Sequence, residues 1–453
     1  MKEAPSNTYY LEEAPIRKAI AHLSIPMMLG MSAGTIYNII NAFFIGLVHD
    51  TAMLSAITLG LPIFTVLMAI GNIFGVGGGT FITRLVAKGE GEKAKRVTGY
   101  SFYGSLVAGI IIALAACFAV NPIVHLLGAD AATLAYTKQY TLTLFIGGFA
   151  IIWNFCLEQI VRSEGASRES MYGMLVSIVL SIVFDILFIL VLDWHVFGAA
   201  LSMVLANIGS TAYYVWYLEK RSENLKGLMH HAAIGAKDQL EVYKIGVSEL
   251  IQTSFLIVTT LLLNNYSMEY GEHVVASFGI ALRIVQLPEF LTMGLFLGII
   301  PLIAYNFSNR NIARLKGAIK QTAAYIGVIS GVFIGVVLLL RHSVVQLFSD
   351  DASVLSVGVY IMGAMLISAL FNGFTGLFTG IFQASGEGVP TTIMAAVQGA
   401  LFIPVIILLH HFFDLHGVIW SMTITETITA ATGLILYMGY AKKINRLETG
   451  IAA

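Results

Sequence analysis

Charge is what this sequence has least of. Asp, Glu, Lys and Arg together make up 11% of its 453 residues, against 57% apolar residues, and the mean hydropathy is +0.82. Soluble domains carry roughly 25% charged residues. A chain with so little solvating charge cannot cover its apolar surface in water, so a water-soluble globular fold is excluded and lipid becomes the main solvent. The charge that is present is balanced, 25 basic against 26 acidic residues with a formal net charge of -1, which removes the electrostatic footprint of a nucleic-acid binder. Cysteine is nearly absent: Cys117 and Cys156 both lie inside apolar runs, outside any Cys-x-x-Cys pair, so a disulfide framework and a cysteine metal site are excluded. A Walker A motif is missing too, and with it direct ATP drive by this chain. No Thr-Val-Gly-Tyr-Gly run is present to form a channel filter. Gly75-Val-Gly-Gly-Gly-Thr80 is rich in glycine but lacks the lysine of a phosphate loop. It reads as close helix packing or a flexible gate.

Long apolar runs are what the sequence has in abundance. A helix crossing the bilayer needs about 20 mostly apolar residues, and candidate spans fall near 18–44, 53–81, 99–120, 136–161, 171–192 and 196–218, then near 241–266, 275–305, 320–340, 355–382, 391–412 and 416–440. The basic residues test that count. With both termini inside, nearly all of the 25 fall on the cytoplasmic side; only Lys138 and Arg341 fall outside and Arg283 lies within a span. Lys and Arg near span ends are retained in the cytoplasm, and a missed span would scramble this alternation. The expectation is an all-α membrane protein of twelve transmembrane helices. The opening residues, with Glu3, Glu12 and Glu13, lack the layout of a cleaved signal peptide, so the first apolar run is expected to stay as a span.

The halves of the chain resemble one another. Ile123-Val-His-Leu-Leu-Gly-Ala-Asp-Ala-Ala-Thr-Leu134 lines up with Val344-Val-Gln-Leu-Phe-Ser-Asp-Asp-Ala-Ser-Val-Leu355, and at the same shift Gly165 meets Gly386. Near the sixth and twelfth spans Gly198-Ala-Ala-Leu-Ser202 meets Gly417-Val-Ile-Trp-Ser421. Equivalent elements recur after six spans, an even number, so the repeats point the same way across the membrane. The spacing predicts two six-helix lobes related by a parallel internal repeat: an N-lobe over 1–218, a cytoplasmic linker over 219–240 and a C-lobe over 241–453. Such a layout is typical of alternating-access carriers.

Several segments resemble a known family. Ser24-Ile-Pro-Met, Tyr37-Asn-Ile-Ile-Asn-Ala-Phe-Phe-Ile-Gly46, the glycine-rich end of the second span, Arg162-Ser-Glu-Gly-Ala-Ser-Arg168, Pro301-Leu-Ile-Ala-Tyr-Asn306 and Gln383-Ala-Ser-Gly-Glu-Gly388 are similar, in order and spacing, to multidrug and toxic compound extrusion (MATE) transporters, nearest to the MepA-type branch. The resemblance runs from about Ile16 to Tyr440. It implies two lobes in a V shape and cation-driven efflux of organic cations, hence a transporter and not an enzyme, in a bacterial cytoplasmic membrane.

Ionisable groups inside a membrane are costly, about 2.5–3.5 kcal/mol on insertion scales, and are functional suspects. Glu158, Asp185, Glu249, Glu289 and Glu426 qualify, with Arg283 the one deeply placed base. Asp185 has no basic residue within a helical turn on either side. A lone carboxylate in hydrocarbon is a group that can load and release a proton; the structural alternative is a neutral Asp bonded to a neighbouring helix. The family's fifth-span Asn-x-x-x-Asp pattern places its acid at Asp185, with Ser181 in place of the Asn. Glu158 shares a helix face with Asn154 and Arg162; it either pairs with Arg162 or acts with Asp185 on protons and cationic drugs, and MepA-type sequences carry a Glu there. Many family members have an acid where this chain has Asn41, which can hydrogen-bond but cannot carry a proton. The seventh-span acid of the sodium-coupled branch corresponds to Phe255 here, and the tenth span offers only Asn372, which leans coupling toward H+ over Na+. Glu289, six residues beyond Arg283 on the eighth span, matches a MepA-type acid and serves either drug binding or lobe packing.

The expected coupling residues are therefore Asp185, Glu158, Asn41 and Ser181, and the expected cargo contacts are Asn38, Asn154, Gln159, Tyr37, Met174, Asn207 and Glu289. No metal site and no cofactor beyond the coupling ion, H+ or possibly Na+, is expected. The partners expected are small organic cations and the lipid bilayer, with no nucleic acid, for a chain working as a monomer. The alternative reading is a flippase for a lipid-linked cell-wall precursor, which would need a basic central cavity. One deep Arg against five acids argues for a cationic cargo.

Overall fold

The computed structural model describes residues 6–46, 51–227, 233–349 and 351–449. Among these residues the secondary structure is helical, without a strand: α1 (Asn7–Glu12), α2 (Ile16–Gly46), α3 (Thr51–Ala87), α4 (Gly91–Leu126), α5 (Leu134–Ile146), α6 (Gly148–Ser163), α7 (Ser167–Asp185, continued by a π-helical turn, Ile186–Val191), α8 (His195–Lys220), α9 (Ala236–Met268), α10 (Glu272–Ser308), α11 (Ile312–Gln346), α12 (Ala352–Ser385), α13 (Gly388–Ala400) and α14 (Phe402–Thr449). Nine helices among the described residues are long and apolar enough to cross a bilayer, or ten when α5 and α6, bent by 51°, count as one. Each of the twelve segments expected from hydropathy falls on helix. The stretch Gly388–Arg446 holds two of them, divided at Asp414, where φ 48° and ψ -131° break the helix. Long apolar side chains such as Phe118, Leu126, Leu339 and Leu347 stand exposed, which a bilayer accommodates and water does not.

Two compact units make up the chain. The first comprises Met1–Glu13 and Leu29–Leu250, the second Ala14–Met28 and Ile251–Ala453. The division therefore falls inside α9, where the sequence places it at 219–240, and α2 and α9 each give their first half to one unit and the remainder to the other. Part of the expected linker, 228–232, lies outside the described residues, and Ala236 already opens α9. Within the first unit α9 begins as a backbone-to-backbone neighbour of α3: a Cβ on Gly246 would sit 2.0 Å from the Ile73 carbonyl oxygen. Tyr100 and Tyr243 share a hydroxyl hydrogen bond of 2.9 Å, and Lys93 pairs with Asp238 at 2.8 Å. In the second unit the first half of α2 lies as closely on α10, where Ser24 Oγ donates to the Leu295 carbonyl at 2.9 Å.

The internal repeat is visible in packing and in turn chemistry. In the first unit α3 and α4 pack on α6 as, in the second, α10 and α11 pack on α12. Asp130 Oδ1 accepts from the Thr133 hydroxyl and from the amides of Ala132 and Thr133. Asp351 Oδ1 accepts from the hydroxyl and amide of Ser353 at the start of α12. These bonds, the side-chain hydroxyl first, hold both carboxyls below the ordinary carboxylate range. Gly165 and Gly386, matched from sequence, both adopt left-handed backbone, φ 86° and 75°, a conformation glycine reaches without a Cβ clash. Asp193 and Asp414, at the same shift, share φ 53° and 48°, which is uncommon for a residue with a side chain.

Candidate functional site

Asp185 ends the regular part of α7, immediately before the chain widens into the π-turn. Its side chain is 1% exposed, and it accepts from two hydroxyls: Ser202 on α8, through Oδ1, and Tyr37 on α2, through Oδ2 at 3.4 Å. Ser181, one turn earlier on α7, hydrogen-bonds Tyr37, and the buried Tyr140 lies within electrostatic reach of Asp185. The partners decide what the group can do. A hydroxyl serves as donor or acceptor, and Ser202 Oγ has an alternative acceptor in the Ala199 carbonyl at 3.1 Å. An ionised Asp185 accepts a hydrogen bond from the Ser202 hydroxyl; a protonated Asp185 can donate to Ser202 Oγ while that hydroxyl turns to Ala199. Both charge states keep their hydrogen bonds, which avoids the cost of leaving a buried polar atom unpaired.

Glu158 stands in a separate cluster on α6. Arg162, one turn on, pairs with it at 3.6 Å, the two side chains being 3% and 6% exposed, and Arg162 also donates to Gln159. Glu249 of α9 contributes further negative charge near Arg162. Gln159 Nε2 donates to Asn72 Oδ1 at 3.4 Å. Among the described residues no hydrogen bond or ion pair joins Glu158 to Asp185, so these two acids occupy different surroundings in the same unit.

Asn154 is buried with Oδ1 lacking a hydrogen-bond partner among the described residues. Asn207 donates to the Met203 carbonyl at 2.7 Å. Met174 reaches α2, its sulfur 3.0 Å from where a Cβ on Gly30 would lie. The side chains of Asn38 and Asn41 lie outside the described residues.

The second unit holds a polar network that sequence reasoning missed. Glu426 on α14 is 7% exposed. It accepts from Gln398 Nε2 of α13 at 2.9 Å, from Thr375 Oγ1 of α12 at 3.2 Å and from Asn372 Nδ2 at 3.4 Å. Gln252 Nε2 of α9 in turn donates to Gln398 Oε1 at 2.9 Å, fixing which end of that amide faces Glu426. Glu289 on α10 is half-buried and close enough to Glu426 for their charges to interact. Arg283, expected to be deep, is exposed. The signal that could have found the network was Glu426 itself, an acid in an apolar span; its donors come from two other helices and have no common local pattern. Ser202 and Tyr140 were missed for the same reason, being neutral and distant in sequence from Asp185.

The fold and the sequence are shared with known proteins. Residues 26–187 and 245–408 match the model of the MatE family. The chain is 40% identical over 431 residues to "Multidrug export protein MepA" of Staphylococcus saprophyticus, covering 95% of both chains. It is 41% identical over 445 residues to the protein of the same name from Staphylococcus haemolyticus, covering 98% of both. In fold it is similar to the structure described as "Crystal structure of MATE in complex with MaD3S", with a TM-score of 0.90 at 23% identity over 99% of this chain and 100% of that one. An "Outward-facing conformation of a multidrug resistance MATE family transporter of the MOP superfamily" gives the same TM-score and coverage. The all-α membrane architecture with the MATE fold is thus established.

Proposed function

The chain belongs to the MatE family, and on that premise we propose that it is a secondary multidrug antiporter that exports lipophilic organic cations in exchange for protons carried on Asp185. The observation that carries this reading is a buried carboxylate whose hydrogen-bonding partners are hydroxyls. One carboxylate cannot be neutralised by a proton and by a drug cation together. Cargo and proton therefore compete for it, and exchange follows. Ser202 and Tyr37 stabilise either charge state, and Ser181 acts through Tyr37. Glu158 pairs with Arg162, and with Glu249 near the same guanidinium the cluster keeps a net negative charge that favours a cation in the first unit; Glu289 offers a carboxylate in the second. Asn38, Asn154, Gln159, Met174 and Asn207 supply adaptable polar and polarizable cargo contacts, and Asn41 serves coupling as a hydrogen-bonding group that carries no proton.

The cycle then runs by alternating access. A cation binds from the cytoplasm, the lobes rearrange, a proton from outside displaces it, and the loaded Asp185 returns to release its proton inside. Inward movement of each proton is worth about 2.3 kcal/mol per 100 mV of membrane potential, plus the pH difference. The chain works in this account as a monomer in a bacterial cytoplasmic membrane, both termini inside. Purified protein in liposomes, with an imposed pH gradient or Na+ gradient and ethidium as cargo, tests the reading. A pH gradient alone is expected to drive ethidium movement. Movement driven by Na+ and not by the pH gradient, or no ethidium flux under either, overturns it.

A further inference from the structure

The first unit carries a pocket that the exchange at Asp185 does not use. It lies where α7 hands over to α8, with a volume of about 390 Å³, and is bordered by Met53 of α3, Tyr136 and Gln139 of α5, and Asp193, Trp194 and His195 of the turn. That size falls within the range of small-molecule sites. Tyr136, Trp194 and Phe197 are its aromatic lining, and Trp194 is backed by further rings. Phe184 stacks on Phe188 at 5.5 Å and 3°, and Phe188 on Trp194 at 5.2 Å and 13°. Phe197 closes on Trp194 from the side at 5.8 Å. Phe184 and Phe188 stand behind Trp194 and do not line the pocket.

The backbone is shaped to hold this arrangement. The π-turn Ile186–Val191 is a form enriched at functional sites; it is followed by a hydrogen bond from the Trp194 amide to the Phe188 carbonyl at 2.8 Å. Asp193 and His195 both take left-handed φ, 53° and 43°. Trp194, backed by Phe188, remains 44% exposed. The Asp193 side chain is exposed, with no ion pair or hydrogen bond to its carboxylate among the described residues. His195 Nδ1 is buried with no partner among the described residues. The second unit serves as an internal control. Asp414 repeats the left-handed turn, so the fold itself calls for that residue. There, however, Leu415 replaces Trp194, and Tyr360 lies against the following His416 at 5.3 Å and 82°. The stacked platform is specific to the first unit.

We propose that this pocket binds a planar aromatic cation, its ring laid on Trp194 and its positive charge beside Asp193, as a second cargo site separate from the Asp185 exchange site. A cation over an indole face gains cation–π attraction as well as ring stacking, Met53 offers a polarizable edge, and Asp193 supplies the counter-charge. The inference rests on the cationic cargo proposed above, but it fails separately.

The test is equilibrium dialysis of ethidium against the purified full-length protein carrying Asp185→Asn, which removes the exchange carboxylate. Further changes are Asp193→Asn, whose amide tolerates the left-handed backbone, and Trp194→Leu, the residue that the equivalent turn of the second unit accommodates. Saturable binding in Asp185→Asn is expected, weakened about 2- to 30-fold by Trp194→Leu, as the range of cation–π energies implies. Asp193→Asn should also weaken ethidium while leaving phenanthridine, a neutral ring system of related outline, unchanged. No saturable binding in Asp185→Asn, or equal ethidium isotherms with and without the turn substitutions, overturns the pocket. Neither result touches the proton-exchange reading, which falls instead if Asp185→Asn still exchanges ethidium for protons.

Discussion

The contact between α3 and the first half of α9 makes a sharp quantitative prediction. A Cβ on Gly77 would lie 2.0 Å from the carbonyl oxygen of Val242 and 3.0 Å from the Gly246 nitrogen. Both are backbone atoms, so no side chain can turn away. Restoring an ordinary carbon-to-oxygen separation requires α3 and α9 to part by at least about 1 Å, and overpacking of that kind typically costs about 1–3 kcal/mol. If the strain is released by lifting α9 from α3, the docked arrangement loses about 5- to 150-fold in population. If it is retained, the folded protein loses the same free energy in stability. Lys93 and Asp238, paired at 2.8 Å, report on docking. With the exposed Cys117 replaced by Ser, Lys93→Cys and Asp238→Cys joined by a short bifunctional thiol reagent measure proximity, and thermal denaturation in detergent measures stability. Gly77→Ala should slow the link or lower the denaturation temperature. Gly331→Ala, whose Cβ meets nothing within 4 Å, should do neither. Unchanged linking and unchanged stability in Gly77→Ala would refute the packing argument.

Three further outcomes follow from other clusters. Glu158→Gln removes the buried ion pair with Arg162 and should destabilise the protein, by at most about 3–5 kcal/mol, the cost of a broken buried pair, because Gln159 and Glu249 still act on the guanidinium; Glu158→Gln with Arg162→Gln should recover much of that loss, read as thermal stability in detergent. Glu426→Gln keeps a carbonyl oxygen for the Gln398 and Asn372 donors, with the Thr375 hydroxyl turning to accept from the new amide, but removes the carboxylate beside Glu289, so cation affinity should fall while thermal stability shifts by less than for Glu426→Leu, which strands all three donors at about 1–3 kcal/mol each. Glu164, just beyond α6, is buried and accepts from Tyr217 and Ser222, each at 2.7 Å. Burial pushes its carboxyl above the ordinary glutamate range, partly offset by those hydrogen bonds. The folded state then holds its proton more tightly than the unfolded state, so this group's contribution to stability is lost as pH rises above the usual glutamate value. The pH dependence of thermal stability should be flatter in Glu164→Gln.

The features legible in the sequence are those with a local or periodic signature. Apolar windows and the alternation of Lys and Arg located the helices. Asp130 with Asp351, and Gly165 with Gly386, exposed the repeat because turn chemistry depends on a few neighbouring residues. Asp185 stood out as a charge where hydrocarbon was expected, and the Glu158–Arg162 pair was one of two readings open from i, i+4 spacing. Long-range arrangements were not legible. Ser202 meets Asp185 through helix packing, and the donors to Glu426 converge from α12 and α13. The exchange of the first halves of α2 and α9 between the compact units depends on backbone approach at Gly77, Gly246 and Gly298, which looks in sequence like ordinary small-residue content. The π-turn after Asp185 has no compositional signal: Ile186-Leu-Phe-Ile-Leu-Val191 reads as plain apolar helix.

The central claim is that drug cation and proton compete for one buried carboxylate, and proton release on binding tests it directly. Purified protein in weakly buffered detergent solution, poised at a pH where Asp185 is protonated, is titrated with tetraphenylphosphonium while a pH indicator follows the medium. The account predicts release approaching one proton per cation bound to the wild-type protein and none from Asp185→Asn. Cation binding to the wild-type protein without proton release, or equal release from Asp185→Asn, would contradict it.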